Sequence, residues 1–430
     1  MANANPSDPL VPVKGLTLSG SWLEAPFLQH LLSVLNNDGE QALLVGGTVR
    51  NAVCGRPVTD MDVATTALPQ TVIERVEAAG HKTVPTGIEH GTITAVSGDE
   101  TVEITTLRED VATDGRRAVV SFGRSWHADA ARRDFTMNAM YCAADGTLFD
   151  PLGGLEDCRA GIVRFVGDAD RRLVEDRLRL LRFFRFHAQY GRGHPDAVGL
   201  SACIRARRGL VELSAERLQQ EVRKLLAAPG AAPSCRLVAE TGIAQIVFGT
   251  APNPPALRNL IELCDGLSEP VHFETALAAF TLHGPDHVDD LTRRLRLSNN
   301  SRSALLALAE LALVEWRRDP ARDGDLIEAV IGHGKSAVRQ AILLASARLA
   351  GRVPSADRMH RVRSTLTFVD QLSVPVFPLR GRDLLNLGVA AGPDVGRLLE
   401  RARMVWRDGD YQPDGPALIR QVRQWIDNAT

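Results

Sequence analysis

The sequence predicts a mixed head, α/β or α+β, followed by an all-helical remainder, and two observations carry that prediction. Short β-like runs alternate with helical ones up to about residue 160, where the strand signals stop. From Leu173 onward Leu and Ala recur at helical spacing, broken by Gly/Pro clusters at Pro229–Pro233, Pro252–Pro255, His283–Pro285 and Val374–Pro378.

In order, residues 1–20 are expected to be a loose tail. Phe27–Leu35 has helical spacing. Gln41–Val45 reads as a strand ending at Gly46-Gly47, and Val49–Cys54 as a short helix. Strands are expected at Thr59–Thr65, Gly91–Val96 and Thr101–Leu107, with a helix over Gln70–Ala79. This divides the chain into a head over 21–160, a helical neck over 161–229, and a helical body and tail over 230–430.

With 430 residues, 44% hydrophobic and 24% charged, the chain has the bulk composition of a globular protein of two or three domains. A net charge of −2 does not speak against a nucleic-acid partner, because basic surface can be local. Here it is local: Arg159–Lys224 holds 15 Lys and Arg against 8 Asp and Glu. The six cysteines are scattered with no CxxC pair, so neither zinc nor a disulfide framework is expected. Met1–Gly15 lacks the apolar core of a secretory signal, and no run approaches a membrane span. A cytoplasmic location is expected.

Gly46-Gly47-Thr48-Val49-Arg50 follows a strand and opens a helix. Glycines there let backbone N–H groups approach an anion, and Arg50 can add a bidentate phosphate contact. Asp60-Met61-Asp62-Val63 follows closely. Alternate residues of a strand share a face, so Asp60 and Asp62 project together, about 7 Å apart, and repel unless a cation lies between them. Mg2+ takes one or two carboxylates plus substrate phosphates, which suits this pair beside a phosphate loop.

Five motifs then occur in order. Gly46–Arg50 with Asp60-Met61-Asp62 is the first, and Arg132-Arg133-Asp134-Phe135-Thr136-Met137-Asn138 the second. Asp150-Pro151-Leu152-Gly153-Gly154, Glu175-Asp176-Arg177-Leu178-Arg179 and Leu213-Ser214-Ala215-Glu216-Arg217 complete the set. Together they resemble the class II CCA-adding enzyme and bacterial poly(A) polymerase family. The resemblance implies an α+β fold with a polymerase-β-like nucleotidyltransferase head, then an all-α neck, body and tail. It implies a template-independent enzyme that uses Mg2+, CTP and ATP to restore the CCA end of tRNA.

The same resemblance places Asp60 and Asp62 on the metal, with Glu103 a further carboxylate candidate by position. It places Gly46, Gly47, Arg50 and Arg132 on the nucleotide's phosphates or ribose, and Asp176 with Arg179 on the base. Arg182 and Arg185 continue the polar stripe every three residues, and with Arg172 and Arg177 they outnumber Glu175 and Asp176. Buried arginines need partners, so an acidic nucleotide is the expected one. Asp150–Gly154 and Ser214 read as a turn and a helix start.

The family usually carries Asp where this chain has Asn51. An amide oxygen is expected to serve if the position works by accepting hydrogen bonds. Arg108–Ala131 looks like the family's flexible loop, whose presence argues against addition of C alone. Addition of A alone, a poly(A) polymerase and a catalytically silent RNA-binding protein are the alternatives. No contiguous His-Asp pair occurs, and His283, Asp286 and His287 read as loop residues.

Overall fold

The computed structural model describes residues 9–114, 117–313, 316, 323–349, 355–374, 376–409 and 411–427. Gly115 and Arg116 and the first eight residues of the expected tail therefore lie outside the described residues. The chain divides into two compact units, Met1–Glu310 with Ala347–Pro354, and Leu311–Ser346 with Ser355–Thr430. No described helix is long and apolar enough to cross a membrane.

The head begins with β1 (Pro12–Thr17), α1 (Pro26–Leu35), β2 (Ala42–Val45), α2 (Gly47–Val53), β3 (Met61–Thr65) and α3 (Pro69–Ala78). It continues through β4 (Lys82–Gly87), β5 (Thr92–Ser97), β6 (Glu100–Thr106), β7 (Arg108–Asp114), β8 (Arg117–Phe122) and α4 (Trp126–Ala131). β9 (Tyr141–Cys142), β10 (Thr147–Phe149) and α5 (Gly154–Ala160) close it. The main sheet has the order β1-β10-β9-β2-β3-β6-β5-β4. Only β3 and β6 run parallel in it, and they lie at its centre. Apolar stripes make the core: Leu28, Leu31, Leu32 and Leu35 of α1 and Val72 and Val76 of α3 are buried with Leu44, Val63, Ile93 and Ile104.

Two expectations are corrected here. Pro12–Thr17 belongs to no loose tail: it is the edge strand paired with β10, and Leu18 N–H donates to the Gly146 carbonyl at 2.8 Å. Backbone pairing supplies what its half-exposed side chains do not. Most of Arg108–Ala131 is likewise regular: β7 and β8 form a separate two-stranded ribbon, followed by α4. β4 and the short β9 and β10 were not legible from residue pattern.

The neck comprises α6 (Ala169–Glu175), α7 (Arg179–Tyr190), α8 (Ala197–Ala206) and α9 (Ala215–Leu226). Asp176 and Arg179, three residues apart in the polar stripe, do not share a helix: Asp176 (φ −150°, ψ 108°) is the extended residue at which α6 ends. Its carboxylate accepts from Leu178 N–H at 3.1 Å and helps start α7. Phe183, Phe184 and Phe186 bury the apolar face of α7, where Phe186 meets Phe135 and Phe183 stacks on Phe165, at centroid distances of 4.9 and 5.5 Å. Each such pair adds about 0.5–1.5 kcal/mol beyond area burial and ties the neck helix to the second motif.

Helices follow through Asp286–Leu295, so Asp286 and His287 open a helix rather than lie in a loop. The second unit packs Leu384, Ala402, Trp406, Leu418 and Val422 from its last three helices into its own core.

Candidate active site

β2 is buried and delivers the chain to Gly46, whose φ of +64° lies in the left-handed region that favours glycine. A Cβ at Gly46 would stand 3.5 Å from Asp62 Oδ2 and 3.6 Å from Arg133 Nη1, so the missing side chain opens the floor of the site. Thr48, fully buried, clips this turn to the acidic strand: its hydroxyl donates to the Asp60 carbonyl and accepts from Asp62 N–H, both at 2.9 Å. Register then sets the third carboxylate, because β3 and β6 pair in parallel with Asp62 opposite Glu103. Burial, and next the Glu103 charge, push the Asp62 carboxyl above its ordinary range, with Asp60 adding to the push and Arg133 opposing it. Asp60 and Glu103 are exposed and Asp62 half-buried.

Around this floor every polar side chain of the second motif has a partner. Asp129, fully buried, holds both arginines: Arg132 Nε at 2.8 Å and Arg133 Nη2 at 2.9 Å. It also accepts from the Tyr141 hydroxyl at 2.8 Å. Burial alone would raise its carboxyl, but the Arg133 and Arg132 charges hold it down to about 2. Asn138 bridges Arg50 Nη1, at 2.7 Å, to Asp134, at 2.8 Å. Gly154 lies so close to the Thr136 carbonyl that a Cβ would stand 2.2 Å from it, which locks α5 under the same loop.

Comparisons with known proteins identify the family. Residues 42–164 match the poly A polymerase head domain, and residues 200–257 the probable RNA and SrmB-binding site of polymerase A. The structure of the Bacillus stearothermophilus CCA-adding enzyme in complex with CTP superposes with a TM-score of 0.70 at 26% identity, covering 93% of this chain and 97% of that one. The CCA-adding enzyme of Leuconostoc mesenteroides is 30% identical over 93% of this chain and 96% of its own length. The mitochondrial CCA tRNA nucleotidyltransferase 1 of Danio rerio is 33% identical over 92% of this chain and 90% of its own length. The chain belongs to the CCA-adding tRNA nucleotidyltransferase family.

Within this CCA-adding framework the structure answers what the arginine stripe pairs with, and the expected nucleotide partner is not needed. Arg182 Nε donates to Asp134 at 2.8 Å, and Arg185 Nε to Glu221 at 2.6 Å. Glu175 takes Arg172 and Arg179 at 2.6 and 2.7 Å, and Asp176 takes Arg217 at 2.8 Å. The count of charges was right although a helix break divides the segment, and Asp134 and Glu221 from other elements pair with Arg182 and Arg185. The side chains of Asp176 and Arg179 therefore do not pair with each other, although Arg179 N–H donates to the Asp176 carbonyl at 3.1 Å. Asp134, held below its ordinary range by Arg182 despite burial, is part of this frame.

Sequence reasoning missed Asp129, Glu221 and Tyr190. Glu221 had a signal, a carboxylate on the apolar stripe Leu218, Val222, Leu225 of α9. Asp129 had one too, since it stands three and four residues before Arg132 and Arg133, the spacing of ion pairs on a helix. Asn51 behaves as expected for an acceptor: its Oδ1 receives Arg50 Nη2 at 3.0 Å and the Tyr190 hydroxyl at 2.9 Å.

Proposed function

We propose that this chain is a CCA tRNA nucleotidyltransferase, adding C, C and A to the 3′ end of tRNA from CTP and ATP without a nucleic-acid template and releasing pyrophosphate. The observation that carries the reading is the meeting of Asp62 and Glu103 on adjacent strands beside the Gly46-Gly47 turn. The domain roles follow: residues 21–160 as catalytic head, 161–229 as base-reading neck, and 230–430 as body and tail holding tRNA. A cytoplasmic setting is part of the proposal.

The cofactor proposed is Mg2+, held by Asp60 and Asp62 with Glu103 in support. Among the described residues no three His, Cys, Asp or Glu side chains form a ready metal cage. A half-buried Asp62 whose carboxyl is raised by burial and by the neighbouring Glu103 charge, with substrate phosphates to complete the shell, nevertheless suits a hard divalent cation. Bound there, Mg2+ would lower the pKa of the attacking hydroxyl and neutralise charge on the leaving pyrophosphate. Gly46 and Gly47 would admit the triphosphate to backbone N–H groups, and Arg50 would bind its charge. Arg132, with Arg133 behind it, would bound the ribose side. Arg182 and Arg185, committed to Asp134 and Glu221, would hold α7 in place.

Asp176 and Arg179 would choose the base. Cytosine and adenine each present an amine donor beside an acceptor nitrogen, and uracil and guanine invert both. A carboxylate and a guanidinium side by side therefore favour the first pair and leave buried groups unpaired against the second. Asp176→Ala is expected to lower CTP and ATP use together and to narrow their advantage over UTP and GTP by about 10- to 150-fold, the loss of one charged hydrogen bond. Incorporation of all four nucleotides measures it, and an undiminished preference would place base selection elsewhere.

The reading as a whole is tested on tRNA lacking its last three nucleotides, with Mg2+ and labelled CTP and ATP. Three added nucleotides are expected. A single A, a long tail or no product would replace the reading with A addition, poly(A) synthesis or silent RNA binding.

A further inference from the structure

We propose that Asn51 is a positioning residue that holds the Arg50 guanidinium through an uncharged oxygen, leaving the whole charge of Arg50 for the triphosphate; this rests on the nucleotidyl-transfer reading above. The arginines around the site fall into two sets. Arg132 and Arg133 are paired with Asp129, Arg172 and Arg179 with Glu175, and Arg182 with Asp134. Arg50 differs. Its Nε and Nη2 reach Asn51 Oδ1 at 3.3 and 3.0 Å, and its Nη1 reaches Asn138 Oδ1 at 2.7 Å. Both acceptors are amides, and among the described residues Arg50 makes no ion pair.

Aromatic rings complete the cradle. The central carbon of the Arg50 guanidinium lies 4.4 Å from the Tyr190 ring centroid and 5.1 Å from that of Phe186. Those rings belong to α7, so the phosphate loop and the neck helix grip one guanidinium from two sides. Asn51 is itself oriented: Tyr190 donates to its Oδ1 at 2.9 Å, while its Nδ2 donates to the Pro57 carbonyl at 3.1 Å. The reversed amide would set N–H groups against a guanidinium and a carbonyl oxygen against the Pro57 carbonyl. Amide acceptors and ring faces orient a guanidinium without cancelling its charge.

A carboxylate at position 51 would accept the Arg50 and Tyr190 bonds more strongly, but would lose the bond that Nδ2 donates to the Pro57 carbonyl. A purely structural role therefore predicts that Asn51→Asp changes stability with unchanged nucleotide use. The proposal predicts the reverse for substrate, because the new carboxylate competes with the triphosphate for Arg50. With the full chain and tRNA lacking its last three nucleotides, Asn51→Asp should raise KM for CTP and ATP together by about 3- to 10-fold and leave kcat within about twofold. Titration calorimetry with inorganic tripolyphosphate should show affinity falling by a similar factor, and thermal unfolding should show an intact fold.

Unchanged KM and unchanged tripolyphosphate affinity in a folded Asn51→Asp variant would overturn the proposal. If that variant does not fold, Arg50→Gln carries the test: tripolyphosphate affinity must fall, and an unaltered affinity overturns it equally. A wild-type chain that incorporates no nucleotide would instead sink the reading of function, while the tripolyphosphate measurement still decides this one.

Discussion

Asp62→Ala, and separately Asp60→Ala, are expected to abolish incorporation of CTP and of ATP together, by on the order of 10³-fold or more. The loss should be common to both nucleotides because one acidic strand, clipped to one phosphate turn by Thr48, serves every addition. Folding should survive. The Asp62 carboxyl is pushed above its ordinary range by burial and by Glu103, so its ionised form is a strained charge in the metal-free protein. Removing it should leave Tm unchanged or slightly raised. Single-turnover extension of tRNA ending before the CCA, with each nucleotide alone, measures the chemistry. Persistent A addition with C addition lost would require two separate sites and end the single-site account.

Asp129→Asn is expected to produce the largest loss of stability, about 3–5 kcal/mol, because it leaves two guanidiniums and a tyrosine hydroxyl facing a neutral amide in a buried position. The pH dependence has a definite sign. The folded carboxyl is held at about 2, below its unfolded value of about 3.9, so its stabilisation is fully present above that value. It is lost as pH falls from there toward 2. The gap between wild type and Asp129→Asn in urea unfolding should therefore be full at neutral pH and close only in strong acid. A gap that stays constant down to pH 2 would show that Asp129 acts by shape rather than by charge. Nucleotide affinity should fall as well, since Arg133, whose Nη1 faces the Gly46 turn, is released.

The motif residues and the fold class were legible in the sequence because they are local. Asp62 lies on β3 as the strand pattern implies, Asp60 is the bend residue just before it, and Gly46-Gly47 turns between a strand and a helix as their order implies. The Ser214 helix start and the Asp150 turn were read correctly for the same reason: Ser214 accepts from Arg217 N–H, and Asp150 from Gly154 and Leu155 N–H, within a few residues. The edge strand Pro12–Thr17 was missed because its exposed, weakly alternating side chains say little, and its hydrogen bonds come from residues more than a hundred positions away.

Charge pairing shows where the boundary lies. The sequence by itself determined the Asp60-Met61-Asp62 motif, the glycine turn, the helical neck and its excess of arginine. It also determined that Glu175 and Asp176 could not neutralise those arginines. Only the tertiary structure decided where the missing carboxylates come from: Asp134 for Arg182 and Glu221 for Arg185. It alone set Glu103 opposite Asp62, and broke the helix at Asp176. The physical reason is range. Backbone periodicity acts over a few residues and is written in their order, whereas a buried charge is satisfied by whichever partner packing brings within about 3 Å, and sequence distance does not constrain that choice.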